Sequence, residues 1–96
     1  MSEMSNDTPA IDVEKALSRL EGWELTPEGA IARSFKFADF TQAFAFMTRV
    51  AFLAEKANHH PDWSNSYNRV DIALKTHDKD AITQKDIDLA TAISAL

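Results

Sequence analysis

"AIARSFKFADFTQAFAFMTRVAFLAEKA", residues 30–57, changes its period halfway along. In the first part Ile31, Arg33, Phe35 and Phe37 share one parity and alternate with Ala32, Ser34 and Lys36. Arg33 aside, this is the signature of a half-buried strand. Beyond Asp39 the period lengthens: Phe40, Ala43, Phe44, Met47, Val50, Ala51, Ala54 and Ala57 form one apolar stripe at helical spacing, read as a core face. Asp39 and Gln42 resemble a capping box with aspartate in place of serine or threonine. The helix must end near Asn58 to His60, because the residue before Pro61 is pushed out of helical geometry.

The flanks extend this strand-then-helix unit. Upstream, "WELT" (23–26) and the turn residues "PEG" (27–29) give the strand a hairpin partner. Before them "TPAIDVEKALSRL" (8–20) reads as a helix, with Thr8 as cap, Pro9 at the first helical position, and Gly22 as the stop. Downstream, "WSNSYNRVDIALKT" (63–76) supplies a second strand pair with Val70, Ile72, Leu74 and Thr76 on one face. A loop, "HDKDAI" (77–82), leads to a last helix in "TQKDIDLATAISAL" (83–96), with Leu89, Ala92, Ile93 and Leu96 at helical spacing. The expected order is α-β-β-α-β-β-α, a two-layer α+β fold whose four-stranded antiparallel sheet carries its helices on one face.

Composition agrees with a single soluble domain over residues 8–96, preceded by a loose polar end at 1–7. Of the 96 residues 45% are apolar and 26% charged, and the nine aromatic residues supply large units of buried area. With no cysteine there is no disulfide and no thiolate chemistry. A formal charge of −5, with scattered Lys and Arg, argues against direct nucleic-acid binding. The start, "MSEMSNDTPA", has no basic region and no apolar run, so the expected location is cytoplasmic, with no membrane contact.

The three histidines carry the chemical signal. His59 and His60 stand side by side before Pro61, where the long helix unwinds, and Glu55 lies one turn before His59 at i,i+4. His77 ends the last strand, so all three imidazoles can meet at one edge of the sheet. Surface residues at element ends are one reading, since His⁺ is favoured near a helix C-terminus. A metal site completed by Glu55 or Asp78 is a second, opposed by the divergence of adjacent side chains. Acid–base catalysis is the third, because imidazole can give and take protons near neutral pH.

One spaced set then stands out: Glu55, three residues, His59-His60-Pro61, five residues, Tyr67, nine residues, His77, eight residues, Asp86. With "FMTRVA", "AEKANHHPDW" and "DIDLA", and from about Trp23 to the C-terminus, it resembles the pterin-4a-carbinolamine dehydratase family. The resemblance implies a hydro-lyase that removes water from 4a-hydroxytetrahydropterin to give quinonoid dihydropterin, supporting pterin recycling for an aromatic amino-acid hydroxylase. It implies no metal and no cofactor, the pterin being the substrate, and a homodimer or homotetramer. His59 and His77 would donate protons to the departing hydroxyl, and His60 would position the ring or take the nitrogen proton.

The same resemblance makes Asn58, Lys75, Thr76 and Asp78 substrate contacts together with the histidines. Asn58 replaces an aspartate frequent in the family, so Glu55 or Asp78 would anchor a histidine instead. Pro61 would shape the loop, and Trp63 would serve either the core or the pocket wall. Tyr67 is expected to pack in the third strand, and Asp86 to form a capping box with Thr83. The alternative function is a protein-binding and dimerisation module acting as a transcriptional coactivator, in which the histidines would be idle.

Overall fold

The computed structural model describes residues 11–96. Its elements run α1 (Val13–Leu17), β1 (Glu24–Leu25), β2 (Ile31–Lys36), α2 (Phe40–Ala57), β3 (Asp62–Ser66), β4 (Arg69–Leu74) and α3 (Gln84–Ser94). The expected order and antiparallel sheet are both found, with strands arranged β1-β2-β4-β3. The two alternating segments form its centre, with Ile31 opposite Leu74 and Lys36 opposite Arg69.

Strand parity decides which side chains meet the helices. Val70, Ile72, Leu74 and Thr76 are all buried, as their alternation requires, and Ile31 joins them from β2. Burying each of the large aliphatic side chains is worth about 1.5–3 kcal/mol. Arg33 stands on the same parity but at the rim. Its guanidinium lies 4.5 Å from the centre of the Phe35 ring and donates to Ser94 Oγ at 3.3 Å, the hydroxyl that also accepts from Trp23 Nε1 at 2.8 Å. The stem and ring contact replace the apolar side chain the pattern calls for.

Gly22 belongs to this corner rather than to the first helix. The expected cap at Thr8 and Pro9 lies outside the described residues, where Asp12 caps α1 by accepting from the Lys15 N–H. The helix closes at Leu17, not at Gly22, because the chain tightens into three-residue turns, Arg19 N–H to Ala16 O and Leu20 N–H to Leu17 O. At Gly22 φ is +90°, a backbone that strains any other residue, and a Cβ would lie 2.8 Å from Arg33 Nε, so the guanidinium would also have to move.

Two further expectations need correction. The α2 stripe is not one core face. Of its members Ala43, Val50 and Ala54 are buried and Met47 packs beside them with Phe46 and Leu53 from outside the stripe, whereas Phe40, Phe44 and Ala57 are exposed, as is the neighbouring Phe52. Small side chains at the centre of the contact allow α2 to lie close to the sheet. Phe46 fills one end of the contact against Phe35 and Phe37, at ring separations of 4.7 and 4.9 Å. Asp39 does cap the helix, accepting from the Gln42 N–H at 2.9 Å.

Tyr67 is not a packing residue of the third strand. It occupies the turn between β3 and β4 with φ +51° and is 64% exposed. Asn65 Nδ2 holds this turn by donating to Tyr67 O and Arg69 O, and Asn68 Nδ2 ties it to Phe37 O. At the other end of β4 the capping box of Thr83 and Asp86 starts α3 as expected. That helix buries Ile87, Leu89, Ala90 and Ile93, while Leu96 remains exposed.

Candidate active site

The histidine pair follows from how α2 ends. Asn58 adopts a left-handed conformation (φ 52°, ψ 44°), its N–H donates to Glu55 O, and the His59 N–H donates to Ala54 O, both at 3.1 Å. These two bonds form a Schellman ending. Asparagine suits the position because its short polar side chain tolerates left-handed geometry better than most residues. The reversal breaks the helical spacing, which overturns the expected i,i+4 meeting of Glu55 and His59. Glu55 Oε1 instead accepts from His60 Nε2 at 2.7 Å, and His59 swings towards α3. Pro61 then leads into β3.

His59 finds a buried partner. Its Nε2 lies 2.5 Å from Asp86 Oδ1, with His59 11% exposed and Asp86 fully buried. The other oxygen of Asp86 accepts from the Thr83 N–H and from Thr76 Oγ1, each at 2.8 Å. Thr76 has one hydroxyl proton and gives it to Asp86, so in the 2.7 Å contact between the two threonines Thr83 is the donor. Every polar atom of this buried group is therefore paired. The carboxylate accepts, so His59 Nε2 carries a hydrogen and Nδ1 is the nitrogen left to exchange a proton.

Asp86 thus does more than the capping expected of it. The sequence placed it in the spaced set, yet its second role spans 27 residues and has no local pattern. Asp62 was missed entirely. Its Oδ2 lies 3.2 Å from His77 Nε2, an exposed ion pair with both side chains about two-thirds accessible. Its signal was strand register. Asp62 faces Ala73 across β3 and β4, and His77 lies on the same parity four residues beyond Ala73.

Together the two contacts bind the 59–62 segment to the 76–77 segment, so His59 and His77 belong to one end of the sheet. His60 adjoins them along the chain. Thr76 is buried and committed to Asp86, whereas Asn58 and Asp78 are exposed. The Lys75 ammonium donates to Glu28 O at 3.0 Å and pairs with Asp80 at 2.6 Å. Ala32, Ser34, Asp62, Asp71 and Ala73 line a broad concavity on the sheet face away from the helices, and Trp63, opposite Ile72 in β4, borders it. None of the three histidines lines it, and Asp62 links it to His77. On its floor Ser34 donates to Asp71, which with Arg69 holds that carboxyl below its ordinary value. Among the described residues no group of three or more His, Asp or Glu side chains is gathered to hold a metal ion.

This arrangement can move protons: three imidazoles, each with its Nε2 beside a carboxylate. Known proteins resemble this chain over most of its length. A profile described as "Pterin 4 alpha carbinolamine dehydratase" matches residues 7–96. A Rhodopseudomonas palustris (strain HaA2) protein provisionally named pterin-4-alpha-carbinolamine dehydratase is 54% identical over 84 residues, covering 86% of this chain and 83% of its own. A Burkholderia multivorans protein with the same provisional name is 56% identical over 81 residues, covering 83% and 79%.

Among solved structures, a transcriptional coactivator/pterin dehydratase from Brucella melitensis superposes with a TM-score of 0.84 at 48% identity, covering 86% of this chain and 89% of that one. A pterin dehydratase-like protein identified as a RuBisCO assembly factor in the alpha-carboxysome shares the fold alone, with a TM-score of 0.67 at 21% identity. It covers 78% of this chain and 88% of that one. By the family match and these relatives, the chain belongs to the pterin 4 alpha carbinolamine dehydratase family.

Proposed function

We propose that the protein is a hydro-lyase that dehydrates 4a-hydroxytetrahydropterin to quinonoid dihydropterin by histidine acid–base catalysis. The observation that carries this reading is the chain of contacts from His59 through Asp86 to Thr76, beside His77. In the reaction the bond between carbon 4a and the hydroxyl breaks, and a proton from His59 or His77 lets the oxygen leave as water. The neighbouring ring N–H loses its proton, and the electron pair left behind forms the C=N bond. His60 is the acceptor of that proton or a support for the ring. No oxidant or reductant is consumed. The reading places the protein in the cytoplasm, recycling the pterin of an aromatic amino-acid hydroxylase. Among the described residues no helix is long and apolar enough to cross a membrane.

The test is the ultraviolet decay of freshly generated 4a-hydroxytetrahydropterin, with and without the protein, in the presence of a chelator. Acceleration supports the proposal. Folded protein that leaves the decay unchanged removes it.

The exposed Phe40, Phe44 and Phe52 of α2 support self-association into two or four copies, since apolar aromatic area is costly to leave in water. Light scattering is expected to give a dimer or tetramer at micromolar concentration, and a monomer there would end that part of the reading. The same surface favours a second reading, a protein-binding module, in keeping with the Brucella melitensis relative, a transcriptional coactivator/pterin dehydratase. Under it the pterin decay stays unchanged, and function is lost with the phenylalanines rather than with the histidines.

A further inference from the structure

We propose that Lys75 is a positioning residue that sets the loop carrying His77 and acts on the dehydration through that loop, not by touching the pterin. The inference rests on the dehydratase reading above and assigns Lys75 a role that the family resemblance does not.

The loop after β4 is a tight turn that carries His77 at the surface. It is closed at its base by paired backbone bonds between Thr76 and Ala81, at 2.9 and 3.3 Å. Inside it the Lys79 N–H donates to Thr76 O and the Asp80 N–H to His77 O, both at 3.1 Å, and Asp80 is left-handed with φ +51°. A left-handed aspartate at the corner of such a turn is held more firmly when an outside contact adds to these bonds. Lys75 provides one. Its side chain is only 19% exposed, and its ammonium spans from Glu28 O in the turn between β1 and β2 to the Asp80 carboxylate. One charged group thus ties the far hairpin to the loop corner. Asp62, at the start of β3, pairs with the imidazole itself.

Charge supports the same arrangement. The hydrogen bond from Lys75, and then its positive charge, hold the Asp80 carboxyl below its ordinary value, and charge on His77 acts in the same direction. The ammonium is already directed at two protein acceptors, which leaves it poorly placed to serve as a substrate hand. Loss of Lys75 frees Asp80, loosens the corner and lets His77 drift from its partner, a displacement to which proton transfer is sensitive.

Four variants test this on the full chain: Lys75→Met, Lys75→Arg, Asp80→Asn and the Lys75→Met/Asp80→Asn pair. The readouts are kcat and KM for pterin dehydration and the His77 imidazole resonances by NMR. Lys75→Met is expected to lower kcat by about three- to tenfold with little change in KM and to shift the His77 resonances. Asp80→Asn should do the same, the pair should be no worse than either alone, and Lys75→Arg should restore most of the rate. A rise in KM with kcat unchanged, and no effect of Asp80→Asn, would make Lys75 a substrate contact and overturn the inference. So would wild-type kinetics in Lys75→Met. If the wild type itself does not accelerate dehydration, the parent reading fails instead. Unshifted His77 resonances in Lys75→Met would show separately that the support is absent.

Discussion

Asp86→Ala is expected to cost about 3–5 kcal/mol of stability, the usual loss when one partner of a buried ionic pair is removed. The carboxylate is fully buried and satisfies three donors at once: His59 Nε2, Thr76 Oγ1 and the Thr83 N–H. Alanine leaves all three without their acceptor and also removes half of the capping box that starts α3. For a domain of this size the melting temperature should fall by more than about 12 °C. Asp86→Asn separates the two roles. Its amide oxygen can still accept from Thr76 and Thr83, so the fold should lose less. Its NH2 would face His59, where the imidazole must then accept at Nε2 and keep its proton on Nδ1, the tautomer opposite to the native one. Thermal melts of the two variants, read beside their dehydration rates, check this. A loss below about 1 kcal/mol for Asp86→Ala would mean the network does not hold the fold.

The second large effect concerns rate. The His59→Ala/His77→Ala double variant should bring dehydration down to the uncatalysed decay, a loss of about 10² to 10⁴. Each single variant should keep part of the rate, since each histidine has its own carboxylate and supplies a separate proton route. Their stabilities should differ. Without His59, buried Asp86 loses a partner, at a cost of about 1–3 kcal/mol. Without His77, exposed Asp62 is simply solvated, and the change should stay within about 0.5 kcal/mol. Stopped-flow absorbance with circular dichroism on the same samples separates lost catalysis from lost fold. A folded double variant at the wild-type rate would eliminate the mechanism.

What the sequence made legible is local. Alternation in β2 and β4 identified the buried parity, because strand side chains change face at every residue. The Asp39 and Thr83 caps lie within one turn of what they cap. The errors arise where the backbone leaves regular geometry or where distant segments meet. Helical spacing paired Glu55 with His59 until the left-handed Asn58 reversed the chain. Apolar spacing alone included Phe40 and Phe44 in the core, since it cannot show which arc of α2 turns to the sheet. Tyr67 looked like a strand residue because nothing in its neighbours announces the positive φ of the turn. The contact of Asp62 with His77 depends on the β3–β4 register, and that of His59 with Asp86 on how α3 docks. Neither is written in any short window.

Asp86 divides its two oxygens between different tasks, Oδ2 for the first turn of α3 and Oδ1 for His59. The fraying of a helix end and the loss of a catalytic geometry therefore become one event. Any fluctuation that unwinds Thr83 to Asp86 also releases the imidazole, and whatever holds the imidazole resists that unwinding. A pterin that presses His59 towards its partner would slow amide exchange at the start of α3 without touching the helix.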